Sequence, residues 1–206
     1  MSAPPEPGVF FGERLPAQMN RTLAEQAETA AAAQRALEGM RAVAATLRFD
    51  VRGPGGGTWY VNLEGGRASG GPTASHEPFL TVVIEGAHFE PLWREAGDNV
   101  LGFLGGVSGM GAPIRLTRAR VEQIAGVKGS LLFELTGAGG FQLVAHLGAA
   151  PDDTPPDTTI RVDAEAYRAL RAGALQPQDA FLAGKIQVEG DMQLAMQLAL
   201  AVLSPD

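Results

Sequence analysis

Apolar residues recur at steps of three to four from Ala17 to Thr46, where Met19, Leu23, Ala27, Ala30, Leu37, Met40 and Val43 form one stripe. That period predicts a single long helix over 17–46 with its stripe laid on a core. The period then changes to two. In LRFDV (47–51) and TWYVNLE (58–64), Trp59, Val61 and Leu63 alternate with Tyr60, Asn62 and Glu64, and GPGGG (53–57) lies between the runs. This predicts a β-hairpin closed by a glycine turn. LTVVIEG (80–86) reads as a further strand, and AHFEPLWREAGDNVLGFLGG (87–106) as two short helices.

The same order then recurs. SLLFELTGAGGFQLVAH (130–146) predicts a second hairpin, TTIRVD (158–163) a strand, and AEAYRALRAGALQPQDAFLAG (164–184) two short helices. Placing Thr81 on Thr159 gives an offset of 78 residues that holds without a gap to Gly106 on Gly184, with six identities in 26 pairs. Leu92 meets Leu170, and FLGG (103–106) meets FLAG (181–184). A repeated element order at a fixed offset points to a duplicated unit. The expected organisation is a loose arm (1–16), a long helix with a first repeat (17–127), and a second repeat ending in an apolar helix (128–206).

Composition narrows the function. The net charge of −7 and pI of about 5.0 argue against nucleic acid, which needs a basic stripe. They also disfavour tight docking on anionic membranes. With no cysteine, disulfides and thiolate chemistry are excluded. No apolar run reaches the roughly 18 residues of a membrane span. The opening stretch has no basic segment leading into an apolar run, so no signal peptide is expected and the expected location is cytoplasmic. Arginine outnumbers lysine 14 to 2 in a chain rich in alanine and glycine, a composition typical of a GC-rich bacterial genome.

Catalytic chemistry finds little to rest on. His76, His88 and His146 share no ligand spacing, and no serine sits in a nucleophile elbow. GPGGG (53–57) lacks the Gly-Lys-Ser/Thr ending of a phosphate loop, and GGVSGMG (105–111) follows a helix rather than a strand. Asp152, Asp153 and Asp157 stand in a proline-rich loop and read as a solvated turn. No catalytic residue, metal site or cofactor is expected.

The end of the chain is more informative. Asp191 is placed to cap a helix. Beyond it Met192, Leu194, Met196, Leu198, Leu200, Val202 and Leu203 occupy more than the roughly 100° of apolar face that a surface helix needs. QDAFLAGKIQVEGDMQLAMQL (178–198) resembles the C-terminal signature of the sterol carrier protein type 2 family. There a short helix with Ala-Phe and Gly-Lys leads into a strand, a Gly-Asp-Met turn and a helix with a Leu-Ala-Met step. Phe181, Gly184, Lys185, Ile186, Val188, Gly190, Asp191, Met192, Leu194, Ala195, Met196 and Leu198 stand at the matching positions.

The resemblance implies an α/β (α+β) fold: a mostly antiparallel sheet with helices packed on one face, here in two repeats. It implies a non-enzymatic lipid-binding or transfer protein holding a sterol, fatty acyl or isoprenoid lipid in an apolar tunnel. An accessory protein presenting a lipid or prenyl-quinone intermediate to a biosynthetic enzyme complex is the alternative. The lining expected is Phe181, Leu182, Ile186, Val188, Met192, Met196 and Leu200, with Trp93, Phe103 and Leu104 from the first copy. The expected partners are a hydrophobic lipid ligand and a transient membrane or enzyme contact through the last helix. The first copy departs from the pattern, because PIRLTRARVEQIAGV (113–127) lacks the Gly-Asp-Met turn and carries charges at apolar positions. The resemblance therefore implies a degenerate first copy, and leaves both one pocket and two open.

Overall fold

The computed structural model describes residues 6–96, 115–148, 151 and 154–203. They fall into two compact units, Met1–Glu38 and Gly39–Asp206. The first unit is helical. Pro7–Val9 and a π-helical turn, Phe10–Arg14, run into helix α1, Leu15–Arg41. Residues 1–16, expected as a loose arm, are thus helical from Pro7, a residue well suited to a first helical turn because its missing N–H has no partner to lose there. The helix expected over 17–46 ends earlier, at Arg41. Thr46 belongs to a strand, where its hydroxyl bonds Asn62 Oδ1 at 2.7 Å and the residue is wholly buried. Met19 and Leu23, expected on a core, are exposed.

The second unit is built on eight strands. They are β1 Ala45–Arg52, β2 Gly57–Glu64, β3 Arg67–Gly71, β4 Pro78–Glu85, β5 Gly129–Thr136, β6 Phe141–Leu147, β7 Thr158–Asp163 and β8 Ile186–Gly190. They form one sheet in the order β3-β2-β1-β4-β6-β5-β7-β8. The β1–β4 and β5–β7 pairs are parallel, and the other neighbours antiparallel. Both expected hairpins are present.

The register collects alternate residues on one face. Phe49 lies opposite Trp59 and Val82, Val82 opposite Ala145, Phe133 opposite Leu143 and Ile160, and Ile160 opposite Val188. This is the apolar face on which the helices pack; the other face carries Arg48, Asp50, Gln142, Glu134 and Arg161. The helices are α2 Gly86–Ala96, α3 Arg118–Gly126, α4 Ala164–Arg171, α5 Pro177–Leu182 and α6 Met192–Leu203. Local chemistry starts three of them: Thr117 caps α3, Asp163 caps α4, and Asp191 Oδ1 accepts from Gln193 and Leu194 N–H at the start of α6. Leu194, Leu198 and Ala201 bury one side of α6. The second short helix expected near 97–106 lies outside the described residues.

Candidate ligand site

An apolar cavity of about 490 Å³ lies between the sheet and α2, within the usual range of small-molecule sites. Strand alternation supplies its floor: Phe49 and Val51 from β1 and Ile84 from β4 point to the same face, and Val51 and Ile84 are register partners. Helix spacing supplies its wall. Phe89, Leu92 and Trp93, at i, i+3 and i+4, fall on one side of α2. Leu92 is buried, whereas Trp59, Phe89 and Trp93 are 46%, 49% and 54% exposed and form the rim.

The glycine turn completes the wall through Gly55, whose φ of 75° suits glycine. Gly57 has another role. A Cβ there would stand 3.1 Å from the Trp59 ring, so its bare backbone is what lets the indole lie over the strand.

No lining residue is ionisable, and the indole N–H groups are the only side-chain donors. Such a surface rewards hydrocarbon and penalises any polar group that it leaves unpaired. A smaller cavity of about 210 Å³ contrasts with it, lined in part by Arg52, Glu85, His88, Gln142, His146 and Thr154. Two histidines without shared motif spacing, His88 and His146, thus line one cavity. Among the described residues no group of three or more His, Cys, Asp or Glu is arranged to hold a metal. Asp157 serves the fold, accepting from Ser130 N–H at 2.7 Å and Ser130 Oγ at 3.0 Å.

Of the residues singled out by sequence, Trp93 lines the apolar cavity. Ile186 is buried and Val188 partly buried in the core, on the apolar face of β8. Phe181, Leu182, Met192, Met196 and Leu200 are exposed, and none lines this cavity. Phe103 and Leu104 lie outside the described residues. Sequence reasoning missed Phe49, Val51, Trp59, Ile84, Phe89 and Leu92. The signal was present in the i, i+3, i+4 run Phe89–Leu92–Trp93, which follows a strand and has two large aromatics.

Sequence comparison finds a likeness in the other half of the molecule. Residues 115–202 match the SCP-2 sterol transfer family. The likeness drawn from residues 178–198 is borne out. The SCP-2 segment takes in α3, β5–β8 and the helices α4–α6, and it leaves every residue of the apolar cavity outside. Similar solved structures include sterol carrier protein 2 like 2 of Aedes aegypti, 24% identical over 52% of this chain and 96% of that one, with a TM-score of 0.36. Sterol carrier protein 2 of Yarrowia lipolytica in its apo form is 16% identical over 52% and 93%, TM-score 0.33. A palmitated form of the Aedes aegypti protein is 22% identical over 56% and 95%, TM-score 0.32. No curated protein matches the chain. Among the described residues, no helix is long and apolar enough to cross a membrane.

Proposed function

We propose that the protein binds a hydrophobic lipid and carries it without chemical change. The observation that carries this reading is the 490 Å³ cavity with no ionisable group in its lining, next to a segment matching the SCP-2 sterol transfer family. Burial of hydrocarbon contributes about 0.8 kcal/mol per methylene. A bilayer offers a similar gain, so the net preference for protein over membrane is small. That balance suits reversible loading. The ligand classes that fit are sterol, fatty acyl and isoprenoid lipids, and the compartment that fits such a carrier is the cytoplasm.

A second reading, presentation of the lipid to an enzyme complex or a membrane, draws on α6. Its exposed Met192, Met196 and Leu200 repeat every four residues along one stripe, and methionine adapts to irregular apolar surfaces. Phe181 and Leu182 add exposed apolar area on α5.

The test is native mass spectrometry of protein purified without detergent, before and after exposure to liposomes, with lipid analysis of an organic extract. A stoichiometric adduct released by extraction supports the carrier reading. A mass that stays clean after exposure to liposomes overturns it.

A further inference from the structure

The two halves of the sheet repeat residue by residue. In the first, Leu47, Phe49 and Val51 lie opposite Val61, Trp59 and Gly57 on one side and Leu80, Val82 and Ile84 on the other. In the second, Leu131, Phe133 and Leu135 lie opposite Ala145, Leu143 and Phe141, and opposite Thr158, Ile160 and Val162. The hairpins correspond at an offset of 84 residues, and the parallel strands at the 78 already read from the sequence.

The turns agree as well. Gly53 and Gly55 have φ of 91° and 75°, and Gly137 and Gly139 have 94° and 81°. Gly56 N–H bonds Gly53 O at 3.0 Å, as Gly140 N–H bonds Gly137 O at 3.0 Å.

Against this matched frame several apolar-side positions differ in size, Trp59 against Leu143 and Leu80 against Thr158 among them, and two further differences bear on the cavity. Gly57 corresponds to Phe141, and Trp93 to Arg171. Phe141 is 1% exposed and fills the second half. It does so together with Phe133, Leu135, Tyr167 and Leu170, all buried in the core. Tyr167 is the counterpart of Phe89, and Leu170 of Leu92. Arg171 does not enter that core: its guanidinium lies over the Tyr167 ring, 5.7 Å from the centroid, and donates to the Glu95 carbonyl. Volume occupied by a phenyl ring in one half is thus free for the Trp59 indole and the open cavity in the other.

We infer that the halves are diverged copies of one unit, that lipid binding is confined to the first, and that Gly57 is the residue that keeps its cavity open. The inference rests on the carrier reading and adds a stoichiometry of one lipid per chain. It also puts the lipid in the half that departs from the family signature, the half matching that signature being the filled one.

The experiment uses palmitic acid as probe and counts adducts on the full-length chain by native mass spectrometry. Wild type, Gly57→Phe and Phe141→Gly are compared, with circular dichroism and thermal unfolding as controls of fold. Gly57 has an ordinary backbone conformation, so Gly57→Phe strains no backbone and should fold with the Trp59 ring displaced. The expected result is one palmitate on wild type and none on folded Gly57→Phe. Phe141→Gly should carry two, with Phe141→Ala replacing it if the glycine variant does not fold. Binding by wild type that survives unchanged in Gly57→Phe overturns this inference and leaves the carrier reading standing. Two palmitates on wild type do the same. No binding by wild type overturns both.

Discussion

Glu95 at the end of α2 and Arg168 on α4 join the two halves of the sheet unit. Arg168 Nε donates to Glu95 Oε2 at 3.2 Å, and its NH2 group donates to the other carboxylate oxygen and to the Ala138 carbonyl. The pair fixes the last turn of the helix whose Phe89, Leu92 and Trp93 wall the cavity. Exposed ion pairs contribute about 0.2–1 kcal/mol, and salt weakens them. Glu95→Ala should therefore lower lipid affinity by no more than about fivefold, with a smaller difference from wild type in high salt. Lipid titrations at two ionic strengths check this.

Trp59 and Trp93 are the only tryptophans, and both line the cavity. Intrinsic fluorescence should therefore report ligand directly, with a blue shift as lipid excludes water from the half-exposed indoles. Trp93→Ala should weaken binding by about 1–2 kcal/mol, roughly tenfold. An emission spectrum unchanged by bound lipid would place the ligand elsewhere.

The two sides of α6 should respond differently to charge. Met196 is 60% exposed and Leu198 is buried. Met196→Arg should change stability by less than about 0.5 kcal/mol, keep palmitate binding, and slow transfer to liposomes. Leu198→Arg should prevent stable folding, because it buries an unpaired charge. Loss of binding in folded Met196→Arg would instead make α6 a wall of the lipid site.

Glu134 sets an acid limit. Hydrogen bonds from Gln142 and then Arg161 hold its carboxyl below the usual carboxylate range, with Gln142 Nε2 at 2.8 Å and Arg161 Nε at 2.7 Å. A depressed folded pKa means that this contribution is complete above the unfolded pKa. It is lost as pH falls through the folded value. Glu134→Gln should therefore be less stable than wild type at neutral pH, with the gap closing as the medium becomes strongly acidic. Melting temperatures across that range test the sign.

Much of the fold was legible because its determinants are local. Alternation marked Trp59, Val61 and Leu63 as one face; glycines marked the hairpin turn; Asp191 marked the start of α6. The end of the first helix was misplaced because Val43 and Thr46 fit a helical period as well as a strand. What decides is burial of Thr46 in the sheet and its bond to Asn62. The candidate site was legible only at Trp93. Its other walls come from β1, β2 and β4, and their shared face depends on a register between segments distant in the chain.

By itself the sequence determined the two hairpins, the strands within 80–86 and 158–163, the cap at Asp191, and the family likeness carried by residues 178–198. Each is written in neighbouring residues or in direct matching of side chains. That the first half lines an apolar cavity was decided by the tertiary structure. An apolar residue lowers the free energy whether it fills a core or lines a cavity, so hydropathy cannot separate the two. The separation comes from what faces each position across the sheet: Phe141 opposite Leu135 in one half, and Gly57 opposite Val51 in the other.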